Sequence, residues 1–86
     1  MVPTPPHVEL IHDALGQTSY SELARRVAEL SGGKPNPGHV WRIAKGQRRT
    51  SAGNIDLIGR ALNLSEVDRE RLLRLYAEWE AAEARA

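Results

Sequence analysis

Apolar residues recur along most of this chain at the i, i+3, i+4 spacing of amphipathic helices, and no segment alternates with period two. The pattern predicts five helices and no sheet. Val8, Ile11 and Leu15 mark the inward stripe of a first helix over His7 to Leu15, stopped by Gly16. Ser19, with Glu22 three positions on, makes a capping box. It opens a second helix whose buried stripe is Tyr20, Leu23, Ala24, Val27 and Leu30. SGGKPNPG, from Ser31 to Gly38, breaks that helix through Gly32, Gly33 and Pro35. A third helix runs from Asn36 to Gly46. Asn36 suits the N-cap, Pro37 the first helical position and Gly46 the left-handed stop. Its stripe is Val40, Ile43 and Ala44. A fourth helix starts near Ser51 or Ala52, buries Ile55, Ile58 and Leu62, and ends at Asn63. Ser65 and Asp68 open a fifth that reaches about Ala82.

The fifth helix carries more apolar residues than one stripe needs. Leu72, Leu73, Leu75, Tyr76 and Trp79 spread over a wide arc, with Val67 one turn earlier. Part of this arc is expected to close the core. Leu72, Leu73, Tyr76 and Trp79 are also the candidates for a two-fold contact in a homodimer, because a small monomer rarely leaves such a patch in water.

At 86 residues the chain is one domain, expected over residues 7–84 behind a mobile Pro-rich arm, MVPTPP, at residues 1–6. Without Phe or Cys, the core must be Leu, Ile, Val and Ala, with neither a disulfide nor a Cys-based zinc site. No apolar run approaches a membrane span, and the N-terminus lacks the basic and apolar regions of a secretory signal. A cytoplasmic, nucleoid-associated location is the expectation. The net charge of +1 says little; its distribution says more. Residues 34–60 carry Lys34, Arg42, Lys45, Arg48, Arg49 and Arg60 against Asp56 alone, whereas the segments on either side are net negative. A local cationic patch of this kind is what binding to phosphates requires.

The patch surrounds the third helix. Gly38, His39, Trp41, Arg42 and Lys45 point away from its buried stripe, and Gln47, Arg48 and Arg49 follow directly after Gly46. Such a helix can be laid into the groove of a nucleic acid. Catalysis has no comparable support. His7 and His12 are five apart, which does not align two ligands on one helix face, and there is no glycine-rich phosphate loop or paired nucleophile and base. Neither a metal nor a cofactor is expected.

Leu23–Ala24, the VWRIAKGQRR run and Ser51 after it together resemble the lambda-repressor-like (XRE) helix-turn-helix family over roughly Ser19 to Leu73. The resemblance implies a compact all-α five-helix domain whose third helix enters the major groove of double-stranded DNA. Ala24 and Val40 are 16 positions apart, more than the family pattern has. The helix-turn-helix therefore has a lengthened turn, as in some actinobacterial regulators of this class, and ten Arg against two Lys suit a GC-rich bacterial genome.

Carried over by position, the first base-reading sites fall on Pro37 and Gly38, which have no side chain to read with. Arg42 takes the next reading position, with His39 as helper; Arg forks onto guanine better than any other residue. Trp41 either flanks the groove or covers the long loop. Lys45, Gln47, Arg48 and Arg49 match the family's phosphate-contacting stretch, with Asn36, the helix N-terminus and Lys34 adding to it. The implied function is a sequence-specific transcriptional regulator, a dimeric repressor on a palindromic operator. The competing function is a protein-interaction module of the same fold, an antitoxin or assembly factor, working through the apolar fifth helix.

Overall fold

Four side-chain caps begin four of the helices in the computed structural model, which describes residues 4–47 and 49–85. Ser19 Oγ accepts from the Glu22 N–H at 3.1 Å, and Asn36 Oδ1 from the His39 N–H at 3.1 Å. Ser51 Oγ accepts from the Asn54 N–H at 3.1 Å, and Ser65 Oγ from the Asp68 N–H at 3.2 Å. Each satisfies one of the amides that a helix start leaves without an intrahelical partner. The helices so defined are α1 (Pro6–Leu15), α2 (Tyr20–Ser31), α3 (Pro37–Ala44), α4 (Ala52–Ala61) and α5 (Glu66–Arg85). Among the described residues there is no strand.

α1 starts inside the expected arm. The Pro5 carbonyl accepts from the amides of Val8 and Glu9, and Pro6 occupies a first-turn position where its missing N–H costs nothing. The expected arm of residues 1–6 thus shrinks, its residues 1–3 lying outside the described residues. α5 extends one turn beyond Ala82, to Arg85.

Two helices end in the same way. Asn63, with φ 59°, and Gly46, with φ 73°, take the left-handed conformation after α4 and α3. The Leu64 N–H returns to the Gly59 carbonyl and the Gln47 N–H to the Arg42 carbonyl, the six-to-one bonds of Schellman caps. The chain therefore leaves α3 in a defined direction.

α1 lies against α3 and α5, α2 against α3 and α4, and α4 against α5. Every helix contributes to the core: Ile11, Leu23, Ile43, Ile55, Ile58 and Leu72 are among its fully buried large side chains. The radius of gyration is 12.2 Å, close to the roughly 12 Å of a compact domain of this length. α4 and α5 approach at Gly59, where an added Cβ would stand 3.1 Å from Arg69 Cγ. No helix among the described residues is long and apolar enough to cross a membrane.

Three expectations need correcting. Leu30 is 52% exposed, lining an open hollow with Arg60, Ala61 and Asn63 at the end of α4; Ala28 is buried instead. Glu22 does not complete the capping box, since Arg25 and Arg26 take its carboxylate. That pairing holds the Glu22 carboxyl below its ordinary range, the hydrogen bond from Arg25 contributing most. Finally, Leu72 and Tyr76 are not free for a two-fold contact. Both are buried in the chain's own core, with Leu73 and Trp79 packed half-buried at its edge.

Candidate nucleic-acid interface

α3 is eight residues long, and three of them, Val40, Ile43 and Ala44, are buried against the core. At about 100° per residue, Arg42 then lies nearly opposite that stripe. Gly38, one turn earlier, shares its face, with Trp41 and Lys45 on one flank and His39 on the other. Exposure follows this geometry. Arg42, Gly38 and Lys45 are exposed, Trp41 is 40% exposed and His39 is half-buried. Asn36, Lys34, Gln47 and Arg49 are exposed as well. Arg48, the remaining phosphate-contact candidate, lies outside the described residues.

The arginines divide into two groups. Arg25 and Arg26 pair with Glu22, Arg25 also with Glu29, and Arg60 and Arg69 with Asp56. Arg26 also reaches the Ala61 carbonyl at the end of α4. Lys34, Arg42, Lys45 and Arg49 make no ion pair among the described residues. Arg71, Arg74 and Arg85 make no ion pair among the described residues either, but they share α5 with Glu66, Asp68, Glu70, Glu78, Glu80 and Glu83. The cations of α3 and its flanking segments thus form no ion pair among the described residues, although Arg49 shares the neighbourhood of the Tyr76 hydroxyl with Glu80.

The start of α3 offers an anion less than its sequence promised. Pro37 has no N–H, and the His39 N–H is already held by Asn36 Oδ1. Of the amides in the first turn of α3, that of Gly38 carries no such cap, and the Asn36 side chain keeps its amide nitrogen as a donor. The end of α3 is better organised. Its Schellman cap orients Gln47, and Gly46 packs against α1: a Cβ there would stand 3.2 Å from Val8 Cγ2 and 3.3 Å from Pro5 Cγ.

Thr50 closes this segment, and sequence reasoning missed how. Its N–H donates to Tyr76 Oη at 2.8 Å, and its carbonyl lies 2.7 Å from the same hydroxyl. Glu80 Oε2, at 2.9 Å, is the alternative acceptor for the single hydroxyl proton. Burial pushes the Tyr76 phenol above its ordinary value. The connection from Gly46 to Thr50, carrying Gln47 and Arg49, is thus anchored at one end on α1 and at the other on α5.

No family model, curated protein or solved structure matches this chain.

Proposed function

We propose that this domain binds double-stranded DNA, with α2 and α3 as a helix-turn-helix and α3 entering the major groove. The observation that carries the reading is the set of exposed, unpaired cations on α3 and the connection after it, mounted on capped and buttressed backbone. Arg42 reads base edges, with His39 beside it, while Gly38 permits close approach of the backbone. Trp41 lies on the flank of the same face, where its ring can pack on a sugar or a thymine methyl. Lys34, Asn36, Lys45, Gln47 and Arg49 contact phosphates, and by sequence position Arg48 joins them. Five residues, longer than a tight turn, separate α2 from α3, and the two helices still pack against each other.

The biological role that fits is a transcriptional regulator of the lambda-repressor-like type, acting as a repressor by occupying an operator. Two copies on a palindrome would double the contacts. Any two-fold contact through α5 must use Leu73, Trp79 and the 73% exposed Val67, since Leu72 and Tyr76 are spent within the chain. The same burial weakens the competing protein-interaction reading, which drew on that apolar arc. Selection of bound duplexes from a random pool tests the proposal. A recovered motif with dyad symmetry supports a dimeric operator, and a pool that never departs from random refutes sequence-specific reading.

A further inference from the structure

His7 is 1% exposed, in the first turn of α1, and no sequence argument singled it out as a core residue. Its ring meets Tyr76 edge-on at 5.3 Å between centroids and Trp79 at 4.9 Å. Nδ1 is buried without a hydrogen-bond partner. A neutral imidazole tolerates this position; an imidazolium would be a desolvated cation at the positive end of a helix. Burial accordingly lowers its pKa below the ordinary 6.5.

The same turn of α1 holds both ends of the basic connection. Pro5 and Val8 bear on Gly46, and His7 bears on Tyr76, which grips Thr50. Among the described residues no carboxylate pairs with His7. Facing it from α5 come Tyr76 and Trp79; the Glu80 carboxylate lies 2.9 Å from the Tyr76 hydroxyl, and Glu83, one turn beyond Trp79, is exposed. α3 turns Val40, Ile43 and Ala44 inward and carries its titratable groups, His39, Arg42 and Lys45, outside that core. On α1 itself, Glu9 and Asp13 are exposed, and His12 is half-buried with Nε2 unpartnered. Arg49 acts on Tyr76 and adds only positive charge.

We propose that His7 is a proton-operated latch: protonation drives the first turn of α1 off Tyr76, frees the Gly46–Thr50 connection and weakens nucleic-acid binding without altering any contacting residue. Its effect on binding rests on the DNA reading above; the latch itself does not.

The test is amide hydrogen exchange by NMR on the whole chain between pH 7.5 and 5, corrected for intrinsic exchange, with the histidine ring protons followed in parallel. The Thr50 and Gln47 amides lose protection about tenfold per pH unit below 6.5, until His7 titrates in the folded state. The Leu23 and Ile58 amides stay better protected than these at every pH, because they open only with the whole domain. His7→Phe, which keeps a ring and removes the proton site, shows no such dependence. Unchanged Thr50 protection through the His7 titration overturns the latch. So does Thr50 protection as high as that of Leu23 and Ile58 at every pH, which is opening by global unfolding alone and is readable in the wild type even if His7→Phe does not fold. Affinity for a random-sequence duplex supplies the second arm. It falls more in the wild type than in His7→Phe between pH 7.5 and 5.5, and an equal change in both overturns the functional half. No binding at pH 7.5 refutes the DNA reading and leaves the exchange result standing.

Discussion

The hydroxyl of Tyr76, on the last helix, meets both polar groups of the Thr50 peptide, receiving its N–H at 2.8 Å and facing its carbonyl at 2.7 Å. One phenol thereby fixes the entry to α4 and the exit of the basic connection. Tyr76→Phe keeps the ring and removes both bonds, leaving a partly buried peptide short of partners. The expected loss is about 1–3 kcal/mol of unfolding free energy in a urea titration. Duplex affinity falls as well, because the cations lose their support.

Gly46 has a stringent backbone requirement. Its φ of 73° penalises any side chain, and a Cβ would crowd Val8 and Pro5. Gly46→Ala should destabilise the domain by about 1–2 kcal/mol. Gly33→Ala, in the exposed α2–α3 connection with 3.5 Å to Ser31 Oγ, is the contrast: a change within about 1 kcal/mol, neutral or stabilising. Thermal melts of the two variants check both statements.

Reading and anchoring should separate by mutation. Arg42→Ala flattens the preference among operator variants, costing about 1–3 kcal/mol on the best site. Lys45→Ala combined with Arg49→Ala weakens every sequence alike and reduces the salt slope by about two units. Identical behaviour of the two variants on matched and mismatched duplexes would dissolve the division of roles.

Stability should depend on pH in a stated direction. His7 has a lower pKa folded than unfolded, so its contribution is complete above 6.5. It declines as pH falls through 6.5 toward the folded value, because the unfolded chain takes up the proton first. Urea midpoints fall from pH 7.5 to 5.5 in the wild type and fall less in His7→Phe.

The helices were legible because their punctuation is local. Ser19, Asn36, Ser51 and Ser65 each cap the helix that follows, and Gly46 and Asn63 stop α3 and α4, as short-range chemistry requires. The outward direction of Arg42 was legible too, since it follows from the spacing of Val40, Ile43 and Ala44. What covers an apolar face was not. Periodicity marked Leu72 and Tyr76 as apolar on α5 but could not tell a neighbouring helix from a second copy. It also placed Leu30 inside, where the fold leaves that side chain exposed and buries Ala28. His7 and the Tyr76–Thr50 contact join residues far apart in the chain, and no local signal announces either. His7 stands one position before the Val8, Ile11 and Leu15 stripe, and only the fold seats it against two rings.

Fluorescence anisotropy of a labelled random-sequence duplex, titrated with the domain from low to moderate salt, tests the central claim most directly. The account predicts binding at low salt whose log K falls linearly with log salt, at about 0.9 per neutralised phosphate and roughly four to six phosphates per monomer. Absence of binding at low salt, or an affinity indifferent to salt, would contradict it.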